Sequence, residues 1–261
     1  MTKKKRHNPN DKEVREDLLY GKHAIHALQE LPERIKRLYL QEEKKEREKE
    51  LLEVASRHNV PCTLLSRQEM YELLGDVKHQ GMAASMLPVP TIAFDHWAGT
   101  QKNSGAPALV LVLDHIQDPQ NMGAIIRTAE VAGAEGVLFP ERRGALPTEA
   151  VVRASAGAAL RVPLLRGVNL SRALQDLQDL GFWIVGLEPS SENLLWRETL
   201  FPPRLALVLG SEGKGLSRLI RERCDELVAL PMRGATGSLN VSAAAAVGIF
   251  EWVRGLQQNN A

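Results

Sequence analysis

From Ala108 to the C-terminus, short apolar runs alternate with longer amphipathic stretches, and this alternation constrains the fold more than any other feature. The run ALVLVLDHI, starting at Ala108, opens without polar interruption, the pattern of a strand buried on both faces. Strands are predicted over 108–114, 136–139, 161–165, 182–187, 205–209 and 226–230, with helices between most of them. Such alternation gives a mostly parallel sheet covered by helices, an α/β fold.

A smaller α/β unit precedes this region. YGKHAIHALQEL reads as a helix, IKRLYLQ as a strand, EEKKEREKELLEVASRHN as a charged amphipathic helix and VPCTLLS as a second strand. A helix over 67–74 and the strand GMAASML complete the unit. LPVPTIAFDHWAGTQKNSGAP then mixes proline, glycine and polar residues without a sustained period, as a linker does. The expected organisation is a basic, polar tail over 1–17, a small α/β domain over 18–87, a linker over 88–106 and a larger domain over 107–261.

Composition bears on compartment and partner. Cys62 and Cys224 are far apart and form no CxxC, so neither a zinc site nor a disulfide framework is expected, and a reducing cytoplasm fits best. No apolar stretch is long enough to span a membrane and the first residues are polar, so a soluble, unexported protein is expected. The formal net charge is only +1, so a nucleic acid would have to be met by a local basic patch. TKKKRH, residues 2–7, is one such patch, and reads equally as a solubilising tail or an RNA-touching arm.

Ligands of open parallel sheets bind beyond the carboxyl ends of the strands, so the loops there are where chemistry is sought. The first such loop, LDHIQDPQNMGAIIRTAEVAGA, carries Asn121 and Arg127 around the start of a helix; taken alone, Asn121 reads as a cap and Arg127 as a surface residue. The second, LALVLGSEGKGLSRLI, places Glu212 among Gly210, Gly213 and Gly215. Its spacing is neither GxGxxG nor a Walker loop, and it reads either as a tight turn or as a site of close backbone approach. The third, LPMRGATGSLNVSAAAA, sets Ser238, Asn240 and Ser242 at alternate positions before a helix, although a helix start needs only one cap.

In this order and spacing, DPQNMGAIIRTAEVAGAEGV, LVLGSEGKGLS and LPMRGATGSLNVSAAAA resemble the three motifs of the SpoU (TrmH) branch of the SPOUT RNA methyltransferases, over roughly residues 108–255. Arg233 and Thr236 depart from the commonest pattern. The resemblance implies a trefoil-knotted, homodimeric domain that methylates a ribose 2′-hydroxyl with S-adenosylmethionine and no metal. It implies catalytic-site roles for Asn121, Arg127, Glu212, Ser238 and Asn240. It further implies that Leu209, Gly210, Gly213, Leu230, Met232 and Leu239 hold the cofactor. The first domain is similar to the substrate-binding domain of bacterial members that modify 23S rRNA, an RNA-binding fold of the ribosomal L30e and L7Ae type. The implied partner is therefore rRNA, most readily a 23S guanosine. A tRNA substrate, or a non-catalytic ribosome-assembly role on the same fold, are the alternatives.

Overall fold

The computed structural model describes residues 18–101, 106–142, 144–196, 201–234 and 237–259, and divides into two compact units, Met1–Pro88 and Val89–Ala261. The basic tail and Thr236 lie outside the described residues.

In the first unit β1 (Leu19–Tyr20), β2 (Ile35–Gln41), β3 (Cys62–Leu65) and β4 (Met82–Met86) form a mixed sheet in the order β1-β4-β2-β3. Only β2 and β3 pair in parallel. Helices α1 (Lys22–Gln29), α2 (Lys49–Arg57) and α3 (Arg67–Leu74) complete it. α3 starts on a capping box, with the Ser66 hydroxyl accepting from the Glu69 N–H and the Glu69 carboxylate accepting from the Ser66 N–H, and packs Met70 and Leu74 against Leu18 and Ala83. The long helix expected from Glu42 begins only at Lys49. Glu48 leaves helical geometry (φ −115°) and its carboxylate is buried against Lys22 and His26 of α1, at 3.6 and 2.8 Å.

The second unit holds a seven-stranded sheet in which every pair is parallel. Its strands are β5 (Ile92–Ala93), β6 (Ala108–Asp114), β7 (Gly136–Pro140), β8 (Leu164–Gly167), β9 (Trp183–Leu187), β10 (Arg204–Gly210) and β11 (Glu226–Val228). Their order is β11-β9-β10-β6-β7-β8-β5. β6 and β10 are buried along their whole length, as their unbroken apolar runs require. β8 begins three residues later than expected because Pro163, which donates no backbone hydrogen bond, directly precedes it.

One face of this sheet, with Val110, Val112, Leu138, Leu165, Ile184, Ala206 and Val208, packs on α7 (Leu170–Asp179), α8 (Arg218–Arg221) and α4 (Phe94–Thr100). The other face carries α5 (Pro119–Val131) and α9 (Val241–Asn259), α9 lying over β9 and β10. α6 (Glu149–Ala154) crosses α5 at Gly123, where a Cβ would stand 2.4 Å from the Ala154 Cβ.

Residues 89–101 of the stretch expected to be a linker are instead part of this unit. Ile92–Ala93 adds the edge strand next to β8, and Phe94 and Trp97 of α4 are buried in the core. A two-residue strand is too short to show a period of two, and the prolines around it masked the apolar pair that follows.

Candidate active site

The chain runs from β6 to β7 and β8 on one side and returns to β9 and β10 on the other, so the strand order reverses between β6 and β10. A crevice opens beyond the carboxyl ends of strands at such a reversal. Two of the motif loops leave the sheet there, after β6 and β10, and the third follows β11 at the edge of the sheet.

In the first loop the cap is Asp118, whose carboxylate accepts from the Gln120 N–H at 2.9 Å, and Pro119 opens α5. Asn121, which alone reads as the cap, instead sits buried in the first turn of the helix without a capping duty. In the second loop the chain doubles back after β10. Ser211 and Gly215 exchange backbone hydrogen bonds at 3.1 and 2.9 Å. A Cβ on Gly210 would lie 2.2 Å from the Gly215 carbonyl carbon, so only glycine permits this return. In the third loop the Asn240 Oδ1 caps α9, accepting from the backbone N–H groups of Ser242 (2.9 Å) and Ala243 (3.4 Å) and from the Ser242 hydroxyl (2.6 Å).

The other end of the Asn240 amide closes a polar triangle. Its Nδ2 donates to the Asn121 Oδ1 (2.9 Å) and to the Glu212 Oε1 (2.8 Å), while the Asn121 Nδ2 donates to the same Glu212 oxygen (3.0 Å). One side chain from each loop therefore meets at a point, joining positions 91 and 119 residues apart. Amide-to-carboxylate hydrogen bonds are charge-assisted and fix the Glu212 carboxylate in one orientation.

Beside the triangle lies a cleft of about 510 Å³ lined by Leu209, Gly210, Glu212, Gly213, Leu230, Met232, Ser238, Leu239 and Asn240. That volume and its mostly apolar wall, with a few convergent polar groups, suit a molecule of cofactor size. All six residues expected to hold the cofactor line the cleft, with three of the five expected catalytic residues. Asn121 joins through its hydrogen bonds. Arg127 does not line the cleft: it is exposed on α5, with no hydrogen-bond or ion-pair partner among the described residues. Six residues of helix carry it about 9 Å along the axis from Asn121 and onto another face. Leu187, the last residue of β9, and Glu188, Pro189 and Ser190 after it also line the cleft and were not singled out from sequence. The signal was present: they end an apolar strand, where ligands of parallel sheets bind.

Among the described residues no group of three or more His, Cys, Asp or Glu is placed to hold a metal ion, and no helix is long and apolar enough to cross a membrane.

Residues 108–250 match the SpoU rRNA Methylase family, and residues 18–91 match the family described as RNA 2′-O ribose methyltransferase substrate binding. The chain is 41% identical over 238 residues to the 23S rRNA (guanosine-2′-O-)-methyltransferase RlmB of Pseudomonas putida, an alignment covering 90% of this chain and 95% of that one. It is 40% identical to the protein of the same name from Pseudomonas syringae, over 90% and 94% of the two chains. Among solved structures, an RNA 2′-O ribose methyltransferase aligns with TM-score 0.73 at 26% identity, over 92% of this chain and 88% of that one. The SpoU methyltransferase AviRb of Streptomyces viridochromogenes shares the fold, with TM-score 0.74 at 23% identity over 94% and 91%. The chain belongs to the SpoU rRNA methylase family and is an S-adenosylmethionine-dependent RNA ribose 2′-O-methyltransferase.

Proposed function

We propose that the substrate is 23S rRNA and that the methyl group goes to the 2′-hydroxyl of a guanosine. The target follows the two Pseudomonas relatives, which carry that activity in their names and align over nearly the whole chain. The observation that carries the residue assignments is the meeting of Asn121, Glu212 and Asn240 beside one cleft.

In this reading the cleft holds S-adenosylmethionine, with Leu209, Met232 and the other apolar residues excluding water and the backbone at Gly210, Gly213, Leu230 and Leu239 making the polar contacts. The cofactor supplies a methyl group on a sulfonium, which is already an activated leaving group. What is left to the protein is alignment of the attacking oxygen and management of one proton. The triangle positions Glu212, and Ser238, exposed at the cleft, offers a hydroxyl to the incoming ribose. Arg127 meets the RNA from outside the cleft. A guanidinium offers donors and no acceptor, so it stabilises the developing alkoxide and grips a phosphate, while the hydroxyl proton leaves through phosphate or water.

The remaining features of the reading are a trefoil knot in the second unit, an L30e-like RNA-binding first unit, a cytoplasmic location and a homodimer formed by the second unit. The match of residues 18–91 to a substrate-binding family supports the RNA-binding role. Phe250, an exposed aromatic on α9 outside the cleft, supports the dimer. The test is incubation of undermethylated rRNA with methyl-labelled S-adenosylmethionine, followed by alkaline cleavage. A single protected phosphodiester next to a 23S guanosine is expected. Label in tRNA, or on a base, would overturn the assignment.

A further inference from the structure

Glu188 is a buried carboxylate in the cleft wall that the proposed chemistry does not use. It is 6% exposed and sits one residue beyond β9. The pairing of Leu187 with Leu209 puts it beside Gly210, in the half of the cleft turned away from Asn121 and β6. Its Oε2 accepts from Arg221 Nη2 at 2.8 Å and its Oε1 from the Ser190 hydroxyl at 3.2 Å. The glycine loop closes against it: a Cβ on Gly215 would lie 3.2 and 3.4 Å from the two carboxylate oxygens.

An ionised carboxylate has about four lone-pair sites, and these partners take two. A buried acceptor with sites to spare at a ligand cleft calls for donors from the ligand. The other carboxylate of the cleft, Glu212, already accepts two amide donors on one oxygen. The methyl donor carries two kinds of N–H or O–H donor outside its adenine, an ammonium and the vicinal diol of its ribose. Arg221 already balances the charge of Glu188, so a second cation there would meet repulsion, whereas a neutral diol would not. Two adjacent hydroxyls also match two carboxylate oxygens, as in the acidic residue that holds the ribose in dinucleotide-binding folds.

We propose that Glu188, flanked by Ser190, receives the ribose 2′,3′-diol of the methyl donor and so sets where the adenosyl group lies in the cleft. This rests on the reading of the cleft as the S-adenosylmethionine site. The test is calorimetric titration of the full chain with S-adenosylhomocysteine and with its 3′-deoxyribose analogue. Hydrogen bonds to charged groups predict that the parent binds the deoxy analogue roughly 10- to 100-fold more weakly. Glu188→Ala weakens S-adenosylhomocysteine by a similar factor and makes the two ligands nearly equal. Glu188→Met, which keeps the length of the side chain but offers no strong acceptor, shows the same convergence should the alanine variant fail to fold. Arg221→Ala removes the ion pair but keeps the acceptor, and retains the discrimination between the two ligands. Glu188 variants that still discriminate as the parent does, or an Arg221→Ala variant that loses discrimination equally, would overturn the proposal and leave Glu188 as an anchor for α8. A parent that binds neither ligand would instead overturn the reading of the cleft itself.

Discussion

Arg127 and Asn240 separate binding from turnover in opposite ways. Arg127 stands outside the cleft, so Arg127→Ala is expected to leave S-adenosylmethionine affinity nearly unchanged, by calorimetry, and to cut single-turnover methylation by orders of magnitude. Arg127→Lys should fail as well, because an ammonium lacks the planar fork; a lysine variant turning over at the parental rate would remove the guanidinium from the mechanism. Asn240 does two jobs with one amide, its oxygen capping α9 and its nitrogen closing the triangle. Serine also caps but is too short to reach Glu212. Asn240→Ser is therefore expected to melt close to the parent and lose turnover, whereas Asn240→Ala loses turnover and also about 0.5–2 kcal/mol of stability.

β5 and α4 decide where the chain can be cut. A fragment starting at Val89 keeps the edge strand and the buried Phe94 and Trp97, and should show a cooperative melt. One starting at Pro107 loses both aromatic anchors, each worth about 3–5 kcal/mol by the usual cost of truncating such residues, and should melt far lower or aggregate. In the first unit, the turn between α3 and β4 is held by His79, whose Nδ1 accepts the Gly81 N–H at 2.9 Å, and by the Gln80 side chain, which accepts from the Lys22 N–H. Burial, with Arg67 nearby, holds the imidazole below its usual range. A folded pKa below the unfolded value means that His79 contributes its stability above the unfolded pKa and loses it as pH falls through the folded one. Thermal melts should therefore weaken as pH drops below about 6.5, the ordinary histidine value, and His79→Gln should flatten that dependence.

The division at Pro88 places the entire cleft, the triangle and Arg127 in the second unit. Recognition and chemistry should be separable at that boundary. Deleting residues 1–88 is expected to leave S-adenosylmethionine binding intact while lowering affinity for structured rRNA and flattening its salt dependence, because phosphate contacts make affinity fall with salt. Filter binding across a salt series reads both effects. An unchanged salt slope, with the same nucleotide modified at the parental rate, would move recognition to the second unit.

What the amino-acid order determined alone is what local physics encodes. Unbroken apolar runs marked β6 and β10, local pattern marked α3, and glycine at 210 answered to a backbone that passes within contact distance of itself. The motif loops likewise carry the six residues expected to hold the cofactor, all of which line the cleft, since each loop is a short segment read in one piece. The tertiary structure alone decided what joins distant segments. It brought Asn121, Glu212 and Asn240 together, left Arg127 outside the cleft, built β5 and α4 into the core and set Glu188 beside Gly210. Periodicity carries information over one or two turns of chain, whereas these contacts depend on which strands lie side by side, and strand order is settled by packing over the whole sheet.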